Sequence, residues 1–338
     1  MRTKHKVLFV LKRHHYGPSY GLRNSCQFVA QALGLEGIES KIVEVVDNNC
    51  IDREVAQYAP THVIIEALWV VPEKFPVLLQ LHPTVQWAVR IHSNAPFISG
   101  EGMALEWLQG YSAVANTYRN FCVGANSQKM QMELDLVLRM DTAYLPNIYT
   151  DSLIPGKVLT PPPSKPYCDY LDIGCFGAIR PLKNQLAQAM AAIIFAGSKN
   201  HLLRFHINST RVEQNSDPIL RNLINLFAGG PHQLVQHPWL PHDQFITALR
   251  GMDYGMQVSF SETFNIVAAD FVYNEIPFVG SKEIEWLTAD SAADPTNWES
   301  VVECLNRSTS HHIIHKNKQA LLEFSAQSLR AWLQYLDE

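Results

Sequence analysis

Two successive series of short apolar runs, each run followed by a helix-length segment, constrain this chain more than any other feature. The first series comprises residues 6–11, 40–46, 61–66, 84–92, 112–116 and 142–145, and the second residues 171–176, 201–207, 233–236, 255–260 and 276–279. Helical apolar spacing fills stretches between them, as at residues 22–33, 184–196, 217–227 and 242–250. Runs apolar throughout belong to strands buried on both faces, and regular strand–helix alternation builds a parallel sheet with helices on either side. The expected class is therefore α/β, with two doubly wound, Rossmann-like domains. A chain of 338 residues suits two domains of ordinary size. Thr160-Pro-Pro-Pro-Ser-Lys-Pro166 separates the series, and consecutive prolines favour an extended, stiff connection. The boundaries that follow are an N-terminal domain over 1–158, a linker over 159–166, a second domain over 167–315 and a terminal helix over 316–338. Leu321, Leu322, Phe324, Leu329, Trp332, Leu333 and Leu336 give that helix an apolar face with which to pack back across both domains.

An apolar fraction of 47% with 17% charged residues is that of a water-soluble globular protein. No apolar run reaches the ~18–20 residues that span a bilayer. The first residues are basic and then apolar, but Lys12-Arg13-His14-His15 stands where a signal peptide would be cleaved. A buried first strand and a cytoplasmic location are expected. The six cysteines form no CxxC pair and fit no zinc module, so they are expected to be reduced. A net charge of −5 gives no global case for nucleic-acid binding. No acidic residue precedes Glu36, however, while Lys12, Arg13 and Arg23 flank the loop after the first strand. Such a local positive patch can attract an anionic ligand.

Ser259-Phe-Ser-Glu262-Thr-Phe-Asn-Ile-Val-Ala-Ala-Asp270 places two carboxylates eight positions apart across a turn that opens a helix. The backbone N–H groups of Phe264, Asn265 and Ile266 would point outward there and can bind an anion. These groups suit a sugar joined to a diphosphate. In open parallel sheets ligands bind beyond the carboxyl ends of the strands. The loops after Leu11, His92, Phe176 and Phe260 would all lie there, and two such domains facing each other would form a cleft.

Gly174-Cys-Phe-Gly177-Ala-Ile-Arg180-Pro-Leu-Lys183-Asn, Leu145-Pro146-Asn147, and Glu262 followed by Asp270 and Glu275-Ile-Pro277 together resemble the GT-B glycosyltransferases, in particular the large retaining family called GT4. The resemblance runs over most of the chain and is strongest over 174–281. It implies a GT-B architecture and a retaining, metal-independent transfer of a sugar from a nucleoside-diphosphate sugar to a hydroxyl. Such transfer takes place on one face of the sugar, with the departing phosphate oxygen taking the acceptor's proton. Glu262 matches the family's first acid and would bind hydroxyls of the donor sugar. Asp270 stands where the family has a second Glu and would bind the ribose. Arg180 and Lys183 match its diphosphate segment, one as a forked donor and one as a point charge. His92 matches a histidine near the reacting centre. Gly17 and Gly21 lie where the family has its first glycine loop, without its adjacent pair. The base would lie near His237-Pro238-Trp239, although Trp239 reads equally as a core aromatic. No cofactor is implied, and the donor would be a UDP-sugar, with a GDP-sugar as alternative. The acceptor stays open among sugars, lipid phosphates, proteins and, through the loop over 12–23, an anionic acceptor such as a hydroxylated DNA base. Other readings are a sugar-nucleotide or nucleic-acid binding module without catalysis and a sugar-nucleotide epimerase of the same shape. Oligomeric state is not legible.

His311 and His315 fall one turn apart on a helix, but no acid or cysteine nearby completes a metal site. No Asp-x-Asp follows an apolar strand, and no GxSxG, Walker A or HExxH pattern is present.

Overall fold

The computed structural model describes residues 5–13, 20–154 and 169–338. The proline-rich connector, Gly17, Cys168 and most of the basic loop after the first strand lie outside the described residues. The chain divides into two compact units, Met1–Ile154 with Phe324–Glu338, and Pro155–Glu323.

In the first unit, strands β1 (Lys6–Lys12), β2 (Glu39–Val45), β3 (His62–Glu66), β4 (Gln86–Ile91), β5 (Phe121–Ala125) and β6 (Ala143–Tyr144) pair in parallel in the order β2-β1-β3-β4-β5-β6. Its helices are α1 (Tyr20–Leu35), α2 (Ile51–Tyr58), α3 (Lys74–Leu81), α4 (Ala95–Ile98), α5 (Ala104–Thr117) and α6 (Gln128–Leu138). β1 shows why the strands are apolar throughout. Leu8 and Val10 pack under α2, α3 and α5 through Ile51, Val55, Phe75, Leu78 and Leu108. Val7, Phe9 and Leu11 face the other way, onto Cys26, Val29 and Leu33 of α1. Successive side chains of a strand alternate faces, so a sheet covered on both faces favours apolar residues at successive positions.

One expected strand is overturned. Residues 112–116 lie inside α5, and the next strand is Phe121–Ala125. Ala104, Leu108, Tyr111 and Val114 are buried at helical spacing, and this stripe outweighs the small-residue run that reads locally as extended.

In the second unit, β7 (Tyr170–Gly174), β8 (Leu202–Asn208), β9 (Gln233–His237), β10 (Tyr254–Gln257), β11 (Phe278–Ser281) and β12 (Ala292–Ala293) run in the order β12-β11-β10-β7-β8-β9, again all parallel. The helices are α7 (Gln185–Ser198), α8 (Asp217–Phe227), α9 (His242–Leu249), α10 (Ile266–Tyr273), α11 (Trp298–Arg307) and α12 (His311–Asp337). Successive strands extend one way from β7 to β9 and the other way from β10 to β12. The order therefore reverses between β7 and β10. α10 lies close on this pair. A Cβ at Gly255 would sit 2.5 Å from ring carbons of Phe271, so no larger residue fits there.

α12 belongs to both units, through Glu323 to the second and from Phe324 to the first. Asn317 accepts from Thr288 Oγ1 at 2.5 Å and donates to Ser291 Oγ at 2.8 Å. Trp332, fully buried, donates from Nε1 to the carbonyl of Pro146 at 2.8 Å and packs at 5.9 Å on the ring of Phe9.

Candidate functional site

Ligands of doubly wound sheets bind where the strand order reverses, beyond the carboxyl ends. In the second unit that place lies between the loops after β7 and β10. Lys183 comes from the first loop and Glu262 from the second, and they meet with Nζ 2.5 Å from Oε1. Several bonds fix the two loops together. Phe260 N donates to Leu182 O at 2.8 Å, Gln257 Nε2 to Phe176 O at 2.8 Å and Asn184 Nδ2 to Val258 O at 3.2 Å. Gln188, buried in α7, accepts from Val258 N at 2.8 Å. Cys175 lies beneath them, and burial pushes its thiol up to about 12, with Lys183 opposing and Glu262 adding.

Arg180 is oriented by a separate device. Ile179 bridges Val212, its N–H donating to Arg211 O at 2.9 Å, while Glu213 N donates back to Ile179 O at 3.0 Å. This pairing sets Arg180 beside Glu213, with Nε and Nη2 each 2.5 Å from Oε2. The other carboxylate oxygen accepts from Arg211 Nε. Burial disfavours the charge on Glu213, but the Arg180 and Arg211 guanidiniums outweigh it and hold the carboxyl below its usual range. Arg211 also lies 4.8 Å over the ring of Trp239, a cation–π distance. Trp239 is half-buried and no part of the apolar core. Glu213 and Arg211 carry no spacing signal that singles them out in the sequence.

α10 opens at Ile266 with Asn265 as its cap, in the left-handed region at φ 56° and accepting from Ala268 N at 3.0 Å. The expected tip amides shift accordingly. Phe264 lies before the helix with its ring buried, and its carbonyl accepts from Trp286 Nε1 at 2.8 Å. Ile266 N–H stays at the tip as that of the first residue of α10. The side chain of Asp270, expected to bind the ribose, is 1% exposed and accepts from His242 Nε2 at 2.8 Å, so α9 places a histidine against that carboxylate.

In the first unit, His92 follows the carboxyl end of β4. Its Nε2 bonds the buried carboxylate of Glu66, and its Nδ1 lies 3.4 Å from Asn126 Nδ2. Glu66 also meets Arg90 Nη1 at 3.3 Å. Burial opposes the charge on Glu66, yet Arg90 and then His92 draw its carboxyl below the usual range. Burial lowers His92, which stays neutral and donates through Nε2. Arg90 is itself fully buried, bonding Leu145 O at 2.8 Å and Asn147 Oδ1 at 2.5 Å. Gly21 lies in the first turn of α1. Lys12 and Arg13 are exposed, and Arg23 pairs with Glu44 at 3.0 Å.

A second network escaped the sequence reading. Asp172 on β7 accepts from Arg204 and His206 on β8, and His206 in turn meets His237 at the end of β9. His311 and His315 are exposed on α12. Among the described residues, no group of three His, Cys, Asp or Glu is disposed to hold a metal, and no helix is long and apolar enough to cross a membrane.

No protein-family model and no curated protein matches the sequence. Likeness appears in the fold. The chain superposes on an apo structure of OtsA with a TM-score of 0.70, covering 99% of each chain at 10% identity. It superposes on sucrose-phosphate synthase from Thermosynechococcus elongatus with 0.65, over 98% of each chain at 12% identity. For an E. coli trehalose-6-phosphate structure bound with UDP-2-fluoro glucose the score is 0.67, over 98% of this chain and 99% of that one at 11% identity. The likeness shows a shared fold, the pair of Rossmann-like units of the GT-B class.

Proposed function

We propose that the protein is a glycosyltransferase that moves a sugar from a UDP-sugar to a hydroxyl acceptor, with retention and without a metal ion. The observation that carries this reading is the Lys183–Glu262 contact at the point of strand-order reversal in the second unit. A cation and an anion held there offer a counter-charge for a diphosphate and an acceptor for sugar hydroxyls, the two chemistries a sugar nucleotide combines. Arg180 adds a forked donor fixed by Glu213, and Ile266 an amide at a helix start. As the glycosidic bond breaks, negative charge grows on the leaving diphosphate, and preset cations lower the barrier most at that moment. The fold neighbour bound with UDP-2-fluoro glucose supports a uridine donor.

The donor is assigned to residues 167–315 and the acceptor to residues 1–158. His92 acts as a positioning group, held in one tautomer by Glu66, and not as a general base. The exposed Lys12 and Arg13 support an anionic acceptor, a hydroxylated DNA base among them. Steeply salt-dependent binding to duplex DNA is expected if that acceptor is right, and salt-insensitive or absent binding would remove it.

Transfer or donor hydrolysis should be measured with radiolabelled UDP- and GDP-sugars, in chelator and in added Mg²⁺. Turnover of a UDP-sugar that survives chelation and is lost in Glu262→Ala is expected. Absence of turnover with every donor, together with no thermal stabilisation by UDP, would overturn the reading.

A further inference from the structure

Asp172, His206 and His237 stand on the adjacent strands β7, β8 and β9. Arg204 donates to both oxygens of Asp172, through Nε at 2.6 Å and Nη2 at 2.7 Å, and so balances its charge. His206 Nε2 lies 2.9 Å from Asp172 Oδ1, and His206 Nδ1 lies 2.9 Å from His237 Nε2. The hydrogen-bond pattern assigns the protons. A carboxylate only accepts, so His206 donates through Nε2, and in the neutral form of the ring its Nδ1 is then a lone pair. His237 Nε2 must then donate to it. Burial, and His206 beside it, lower the pKa of His237, which keeps one proton and uses it there. Its Nδ1 is left as an acceptor, and no described residue donates to that nitrogen. The polarity of an atom at the rim of the sheet is thus set by a carboxylate two strands away.

His237 closes β9 at the carboxyl edge. Asn208 ties that rim to the loop bearing Arg180, donating to Pro238 O at 3.1 Å and accepting from Gly177 N at 2.9 Å. Phe176 meets the His237 ring edge-on at 5.5 Å, and the half-buried Trp239 follows two residues on. An acceptor nitrogen among aromatic groups suits a flat heterocycle that carries a ring N–H.

We infer that His237 selects the base of the donor by accepting from a ring N–H of the kind uracil carries at N3, and that Asp172 and His206 are positioning residues that fix its polarity. This rests on the sugar-nucleotide reading above and adds to it the side chain that recognises the base. Cytosine presents a lone pair at N3, so two acceptors would face each other, and a base methylated at N3 would present no hydrogen.

The test is calorimetric binding of UDP, CDP and N3-methyl-UDP to the full chain at one salt concentration. UDP should bind at least about tenfold more tightly than the other two, the effect of one unmade hydrogen bond to a desolvated acceptor. His237→Ala should weaken UDP and bring the three ligands within a factor of about three. His206→Leu leaves His237 in place but frees its tautomer. It should narrow the UDP:CDP ratio with little change in pyrophosphate binding, which a merely structural role would not do. CDP binding as tightly as UDP, or an unchanged ratio in His237→Ala, would overturn the inference while leaving the sugar-nucleotide reading intact. Failure of all three ligands to bind would overturn both. Should His206→Leu not fold, the wild-type ratio and His237→Ala still decide.

Discussion

Lys183 and Glu262 come from two different loops of the second unit and meet 2.5 Å apart where the strand order of its sheet reverses. The lysine side chain is 20% exposed and the glutamate 8%, so the pair is reachable from solvent on the lysine side. Partly exposed pairs contribute little to stability. Their interest is chemical. On the proposed reading, a diphosphate that recruits Lys183 releases the carboxylate of Glu262 to accept from sugar hydroxyls.

Lys183→Met and Glu262→Gln should therefore each lower kcat by roughly 10²–10³-fold, the range seen when one preset charge or donor at a reacting centre is removed. Urea unfolding should change by about 1 kcal/mol or less for Lys183→Met. Transfer rates within tenfold of wild type in both variants would dissociate the pair from chemistry.

Glu213 should act through Arg180. Glu213→Gln keeps the shape but removes the charge shared by two guanidiniums, so donor KM should rise roughly tenfold with a smaller effect on kcat. Combining it with Arg180→Ala should reveal a coupling of about 0.5–3 kcal/mol in kcat/KM. Strict additivity of the two substitutions would show that Glu213 does not hold Arg180.

His62 makes stability sensitive to mild acid. Burial, and His5 nearby, lower its pKa to about 4, whereas an unfolded histidine titrates near 6.5. The unfolded state binds the extra proton between these values, so stability falls as pH drops from about 6.5 to about 4 and this contribution levels off below. The full shift sets an upper bound of about 3 kcal/mol. Urea titrations should show His62→Gln flattening the slope in this window, and a parallel slope in both proteins would refute the assignment.

Arg90→Met should destabilise the protein by about 3–5 kcal/mol, because it strands the buried carboxylate of Glu66. Adding Glu66→Gln should recover part of the loss, since the stranded charge is then gone. Thermal or urea unfolding distinguishes this from simple loss of packing, for which the second change brings no recovery.

Much of the fold is legible because parallel strands covered on both faces have little freedom in composition. β1, β3 and β8 read as apolar runs for that reason, and α8 declares itself by its periodicity. Residues 112–116 misled because a short run of small residues carries no period of its own, although the stripe from Ala104 to Val114 marks the helix. α11 also left a signal, since Asn297 caps it by accepting from Glu299 N and Ser300 N, and Val301, Cys304 and Leu305 form its buried face. At the site, Lys183 and Glu262 were nameable from their motifs, but their contact was not. Glu213 and the Asp172–His206–His237 chain were invisible because they depend on register. Only the pairings of Asp172 with Arg204, Gly174 with His206 and Asn208 with His237 bring these side chains together.

Trp332 has a further implication for biosynthesis. It plugs the sheet of the first unit, alongside Phe9 and Leu145, yet it follows the whole of the second unit in the sequence and so is translated after it. The first unit therefore keeps an unsealed face until residues 155–323 have been made. The segment that completes the earlier-made unit arrives only after the later one, which leaves the first unit's apolar face open to chaperones while the second is being translated.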